Sequence, residues 1–232
     1  MIYSFFSRYY RCELYVPTLQ ERGLLEGDHE KWTLEFLNVQ KGDIGIDIGA
    51  CCGTFTLPTA ILSGEKGLVI AVEPEPINFT CLALNVKKLN LNNVVLFNVA
   101  VSNKRGLAKL FLADLGGHHS MYEHLIDRRY AKPVGTIHVP CLTLADIVEI
   151  VNPPKIDWIK IDTEGSEKDI LTEEKTVKVL EEYKPKRLSI EVHEEGHDKI
   201  IIELLESIGY EVKQSFPDSL KRHNFIFATM KQ

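Results

Sequence analysis

Residues 44 to 53 read Ile-Gly-Ile-Asp-Ile-Gly-Ala-Cys-Cys-Gly, an apolar run that enters a glycine turn, and Ile70-Ala71-Val72-Glu73-Pro74 repeats the pattern with a carboxylate at its end. A strand, a glycine-rich turn opening a helix, then a second strand ending in an acid is how a Rossmann-like parallel sheet holds an adenosine. The glycines let backbone approach the ligand, and the acid takes both ribose hydroxyls. Here the glycines stand as Asp47-x-Gly49-Ala50-x-x-Gly53, without the third glycine that packs a helix start against a dinucleotide pyrophosphate. An aspartate on the strand would repel a pyrophosphate but favours a ligand that carries an ammonium and a sulfonium. S-adenosylmethionine is therefore expected as the cofactor, in preference to NAD.

The rest of the chain fits one α/β domain. Its 232 residues with 44% hydrophobic content suffice for one substantial core. A net charge of -6 disfavours a broad nucleic-acid-binding face, which needs clustered Lys and Arg. Five cysteines, at 12, 51, 52, 81 and 141, have neither disulfide-framework nor zinc spacing, so reduced thiols and a cytoplasmic setting are expected. Met1 to Tyr15 is aromatic-rich but broken by Arg8, Arg11 and Glu13, too short an apolar run for a signal segment or a membrane span. It is expected to be a helix packing its Phe and Tyr on the domain or on a second subunit, giving a homodimer through the N-terminal segment.

Residues 1–40 are thus expected as an N-terminal helical elaboration, including a helix over Asp28 to Val39, and residues 41–232 as the catalytic domain. Apolar runs at 44–48, 68–72, 94–99 and 156–161 predict buried parallel strands, with helices at Pro58–Leu62 and Ile77–Leu89 between the first three. Alternating runs at Leu107–Leu112 and Thr136–Leu142 bracket Gly116, Gly117, His118, His119 and Ser120, predicting a β-hairpin lid inserted over about 103–143. Beyond it come a helix at Leu144–Val151 stopped by Pro153 and Pro154, a helix at Lys168–Leu180, a strand at Arg187–Val192, a helix at His197–Ser207, and strands at Tyr210–Gln214 and Asn224–Met230.

The block Ile159-Lys160-Ile161-Asp162-Thr163-Glu164-Gly165-Ser166-Glu167, followed by Ile170-Leu171, comes after the Asp-Ile-Gly-Ala-Cys-Cys-Gly turn and the Asn98-Val99-Ala100-Val101-Ser102 corner. With these the chain resembles the FkbM-type methyltransferase family from about residue 42 to the C-terminus, and Thr143-Leu144-Ala145-Asp146 looks like that family's Thr-Leu-Asp element with one residue inserted. The resemblance implies a class I methyltransferase fold: a seven-stranded, mostly parallel sheet with an antiparallel last strand and helices on both faces. It also implies methyl transfer to a hydroxyl oxygen of a small molecule or saccharide.

Asp47, Gly49, Ala50 and Gly53 are expected around the methionine half of the cofactor, with Thr54 capping the next helix; Glu73, beside Pro74, is expected on the ribose. The resemblance places Asn98 and Ala100 on the adenine. Asp162, Glu164, Glu191 and His193 end neighbouring strands and point to one rim. Asp162 is expected to position the acceptor and His193 or Glu164 to take its proton, an unperturbed histidine titrating near ~6.5. Glu191, His118 and His119 are expected to touch the acceptor. The oxygen and imidazole set could hold a divalent ion, though none is expected.

Two other functions compete. The stretch from Gly53 to Pro76, with Leu84-Asn85, also resembles transfer-RNA guanine methylating enzymes, a reading opposed by the net acidity. A protein that binds the cofactor without catalysis would carry the same turn. Asn152-Pro153-Pro154-Lys155 resembles the base-gripping motif of amino-methylating nucleic-acid enzymes, but it precedes the fourth strand and lacks the stacking aromatic.

Overall fold

The computed structural model describes residues 2–26, 30–126, 131–215 and 224–231. In chain order the elements are β1 (Tyr3–Ser7), β2 (Cys12–Val16), a 3-10 turn (Leu19–Leu25), α1 (Lys31–Leu37), β3 (Ile44–Ile48), α2 (Thr56–Ser63), β4 (Leu68–Val72), α3 (Pro76–Lys88), β5 (Val94–Phe97), β6 (Ala100–Val101), β7 (Gly106–Ala113), β8 (Pro133–Leu142), α4 (Leu144–Val151), β9 (Trp158–Ile161), α5 (Glu167–Leu171), α6 (Glu174–Tyr183), β10 (Arg187–Val192), α7 (His197–Ser207), β11 (Tyr210–Ser215) and β12 (Asn224–Met230).

The central sheet has the order β11-β12-β10-β9-β3-β4-β5, with β12 antiparallel to both neighbours and β3, β4, β5, β9 and β10 mutually parallel. This is the seven-stranded α/β sheet with an antiparallel last strand that the resemblance implies. Successive side chains leave opposite faces of a strand, and both faces are covered. Ile46, Ile48, Ile70, Val72, Ile159, Ile161, Leu188 and Ile190 join the side of α4 to α7. Val69, Ala71 and Trp158 turn to the side of α1, α2 and α3. Gly45 pairs with Trp158 across β3 and β9, and a Cβ on Gly45 would overlap the indole. The ring, fully buried, meets Phe55 edge-on at 5.5 Å between centroids.

The sequence expectations fail at two places. Of the segment Met1 to Tyr15, the described residues from Ile2 onward are not helical: β1 and β2 form an antiparallel hairpin, Tyr3 opposite Val16. Its alternation is the reason, since Leu14 and Val16 are buried against Cys81, Leu82 and Val86 of α3 while Glu13 is exposed. Asn85 completes the pairing as a strand would: its Oδ1 accepts from Tyr15 N at 2.7 Å and its Nδ2 donates to Tyr15 O at 2.9 Å. The single helix expected over Lys168–Leu180 is two, because Glu173 takes an extended backbone and caps α6 by accepting from Thr176 N at 2.7 Å. The helix expected over Asp28 to Val39 is observed from Lys31 to Leu37; Asp28 lies outside the described residues.

The inserted hairpin forms from β7 and β8, with β6 parallel to β8. Thr143 and Asp146 make a reciprocal capping box that starts α4. Among the described residues no helix is long and apolar enough to cross a membrane.

Candidate active site

The parallel strands deliver their carboxyl ends to one edge, and the chain leaves β3 in one direction for β4 and β5 and returns on its other side as β9 and β10. A crevice opens at such a reversal. Here it is a cavity of about 1000 Å³, lined by Gly49, Thr54, Glu73, Pro74 and Ala100 at one end and by Asp162, Glu164, Glu191 and His193 at the other.

The turn after β3 is held by backbone. Gly49 N and Ala50 N both donate to Val72 O at 3.0 Å. Gly49 has φ +86°, and a Cβ there would overlap the Asp162 carbonyl oxygen, so the turn can lie on the end of β9 only as glycine. Glu73, buried at 5% exposure, accepts Cys51 N at 2.9 Å on Oε2 and Glu75 N at 2.8 Å on Oε1. Burial pushes its carboxyl up to about 7, against the pull of those two amides. An ionised carboxylate offers about four acceptor positions, so two remain for a ribose diol, and the residues present fit an adenosine.

Four residues expected at the cofactor serve the protein itself. Asp47 is fully buried; its Oδ2 accepts from Thr56 Oγ1 at 2.6 Å and its Oδ1 lies 3.7 Å from Lys160 Nζ. Ala50 is buried, and a Cβ on Gly53 would press on Leu57 and Leu82, so this glycine serves helix packing. Asn98 braces the corner, its Nδ2 donating to Glu73 O at 2.8 Å and Pro74 O at 3.1 Å. Thr54 lines the cavity, but α2 begins at an uncapped Phe55, so Thr54 caps nothing.

At the other end His193 is the hub. Its Nδ1 stands 3.0 Å from Glu167 Oε1, and its Nε2 stands 3.7 Å from Asp162 Oδ1, 3.7 Å from Glu164 Oε1 and 4.0 Å from Glu191 Oε1. Burial alone would lower the imidazolium, but Glu164, Glu167 and Asp162 outweigh it and hold the pKa well above its usual value. The imidazole is thus perturbed where an ordinary histidine is expected, and the surrounding acids favour its cationic form. Glu164, at φ +54°, is pushed up to about 8, by burial first and then by Asp162, Glu191 and Glu167, with His193 opposing.

Sequence reasoning assigned no role to Lys160 or Glu167. Lys160 Nζ lies 3.3 Å from Asp162 Oδ2, 3.6 Å from Glu30, 3.7 Å from Asp47 and 3.3 Å from Gly49 O. It ties the two loops together. Glu167, also fully buried, accepts from Thr163 N and Gly165 N and orients His193. The signal for both was a charged residue inside an apolar strand or at a helix start within the matched block. His118 and His119 line the cavity from the inserted hairpin; His119 Nδ1 accepts from Ala113 N at 3.0 Å, and burial lowers its pKa to about 4, leaving it neutral. Asp162, Glu191 and His193 bring ligand atoms within 4.8 Å of one another, close enough to hold a divalent ion.

No curated protein matches the chain. Solved structures do. A precorrin-6y C5,15-methyltransferase from Geobacter metallireducens superposes with TM-score 0.53 at 15% identity, covering 87% of this chain and 88% of its own. An rRNA methylase from Streptococcus thermophilus gives 0.53 at 12%, covering 87% and 95%. Fibrillarin from Aeropyrum pernix, solved with natively bound S-adenosylmethionine, gives 0.50 at 14%, covering 82% and 67%. These likenesses establish the fold. The sequence profile of the methyltransferase FkbM domain matches residues 47–212, from the aspartate of the glycine turn to β11. The chain belongs to the FkbM methyltransferase family and is an S-adenosylmethionine-dependent methyltransferase.

Proposed function

We propose that the protein methylates a hydroxyl oxygen of a neutral small molecule or saccharide. The observation that carries this reading is the charge of the cavity wall. Among the described residues Glu21, Glu30, Glu73, Asp162, Glu164 and Glu191 line it, and the lining's Lys160 and His193 are both engaged by acids, Lys160 by Glu30, Asp47 and Asp162 and His193 by Asp162, Glu164 and Glu167. With Lys160 and His193 already engaged by these acids, the described wall offers an anionic acceptor little to pair with, while hydroxyl groups can donate to the carboxyl oxygens.

S-adenosylmethionine supplies an electrophilic methyl group; the chain supplies alignment and a base. Asp162, fixed by Lys160, positions the acceptor hydroxyl. Glu164 takes its proton, with His193 beside it as a fixed positive charge. Glu191, His118 and His119 shape the acceptor side. The same reading places the protein in the cytoplasm and takes it as a homodimer through the N-terminal hairpin, where Phe6 and Tyr9 are exposed; light scattering tests the dimer.

The deciding experiment offers labelled S-adenosylmethionine with neutral saccharides and polyols, their phosphorylated counterparts, and total RNA. Label on a neutral hydroxyl compound supports the proposal. Label on RNA, with retention on heparin, replaces it by the nucleic-acid reading. Cofactor binding without label on any acceptor points to a non-catalytic binder.

A further inference from the structure

The turn at Leu19–Leu25 brings a carboxylate to the cavity from outside the segment that the family profile matches. Glu21 is 6% exposed and lines the cavity. Its Oε2 accepts from Thr18 Oγ1 at 2.8 Å and its Oε1 from Gly117 N at 3.1 Å. The neighbouring Gly116 has no room for a side chain: a Cβ would stand 2.6 Å from Asn78 Oδ1 and 2.7 Å from Glu21 Oε1. Asn78 Nδ2 donates to Gly116 O at 2.8 Å, and Asn78 lies in the first turn of α3, just past the Glu73-Pro74 corner. Glu21 therefore sits over the adenosine end of the cavity, where Glu73 holds Cys51 N.

With the ribose on Glu73, the base has apolar lining available from Val99, Ala100, Leu110 and Leu115. The edge of an adenine needs an acceptor for its exocyclic amine. Asn98, the expected partner, gives both hydrogens of its Nδ2 to the carbonyls of Glu73 and Pro74, so that only its neutral Oδ1 could accept. Glu21 is an acceptor at that end, and with two positions filled by Thr18 and Gly117 its carboxylate keeps others for a ligand. We propose that Glu21 reads the base, its carboxylate accepting an N–H from the exocyclic amine of the adenine ring. The inference rests on the cofactor reading above and adds to it a contact peculiar to this chain's N-terminal segment.

Calorimetry with S-adenosylhomocysteine and its 6-oxo analogue S-inosylhomocysteine tests the contact without turnover. The analogue presents a carbonyl oxygen where the amine stood, so the unaltered protein should bind it about tenfold to a hundredfold more weakly. Glu21→Gln offers both a donor and an acceptor and should bring the two affinities within about threefold; Glu21→Ala should shrink the ratio too. Thr18→Ala leaves the carboxylate in place and should keep the ratio. Thermal unfolding confirms that each variant is folded. If the unaltered protein fails to discriminate, or if both Glu21 variants weaken the two ligands in parallel and keep the ratio, Glu21 is only a clasp and the proposal is overturned. Failure of the unaltered protein to bind either ligand would instead remove the cofactor reading on which the proposal stands.

Discussion

The floor and the roof of the cavity are built in opposite ways. The floor is the edge of the sheet, where β3, β4 and β9 are joined by continuous ladders and their side chains are almost wholly buried. The roof is the turn at 19–25 with the hairpin segment from Leu115 to Leu125, and beyond one isolated backbone bridge between Ser120 and Phe111 it is fastened by single side-chain contacts. Glu21 holds Gly117 N, Asn78 holds Gly116 O, Ser120 Oγ donates to Glu164 O and Tyr122 OH donates to Asp169. Ladders resist local opening, whereas single contacts break one at a time. The floor can hold reacting groups in fixed register, and the roof can admit and select ligands.

The sharpest test of the floor is Glu164→Gln, which should lower kcat by about 10²–10⁴-fold while leaving S-adenosylhomocysteine affinity almost unchanged in calorimetry. A loss of affinity instead would place Glu164 on the cofactor. Next comes Glu73→Ala, expected to weaken cofactor binding about a hundredfold or more by removing a charged acceptor; wild-type affinity would break the ribose assignment.

A smaller effect is pH-dependent. Glu73 titrates near 7 in the folded protein against 4.5 for the free side chain, so its contribution to the stability of the ligand-free protein is complete below about 4.5 and is lost as pH rises through about 7. Hydroxyl donors favour the ionised form, so cofactor affinity should rise about tenfold from pH 6 to 8, and Glu73→Gln should flatten that slope. The roof is tested by hydrogen exchange: amides of residues 19–25 and 115–125 should exchange faster than those of β3, β4 and β9, and should slow on cofactor binding. Equal protection would erase the contrast. The smallest expected effect is that of a chelator, which should leave turnover within about twofold, since Lys160 and the His193 cation already compensate the acids. Loss of activity that Mn²⁺ restores would make Asp162, Glu191 and His193 a metal site.

The floor was legible in the sequence. Strands β3, β4 and β10 and helices α4 and α7 begin and end where the apolar runs and their punctuation place them, because a parallel strand buried on both faces has a continuous apolar signature. The roof was not. The hairpin β1–β2 was expected as a helix because its alternation spans only five residues per strand and the surface that buries Leu14 and Val16 is α3, distant along the chain. Glu21 gave no signal, since its burial comes from Gly116 and Gly117 almost a hundred positions away. The protonation of His193 was misread for the same reason: its type is visible in sequence, but Glu164 and Glu167 reach it only through the fold.

Gly49 carries a last consequence. Because its bare α-carbon rests on the Asp162 peptide, the glycine turn after β3 and the loop after β9, proposed to hold donor and acceptor, share a single seam. Neither can drift without the other, so evolution can retune what is methylated by rebuilding the cover while the span that the methyl group must cross stays set by one missing side chain.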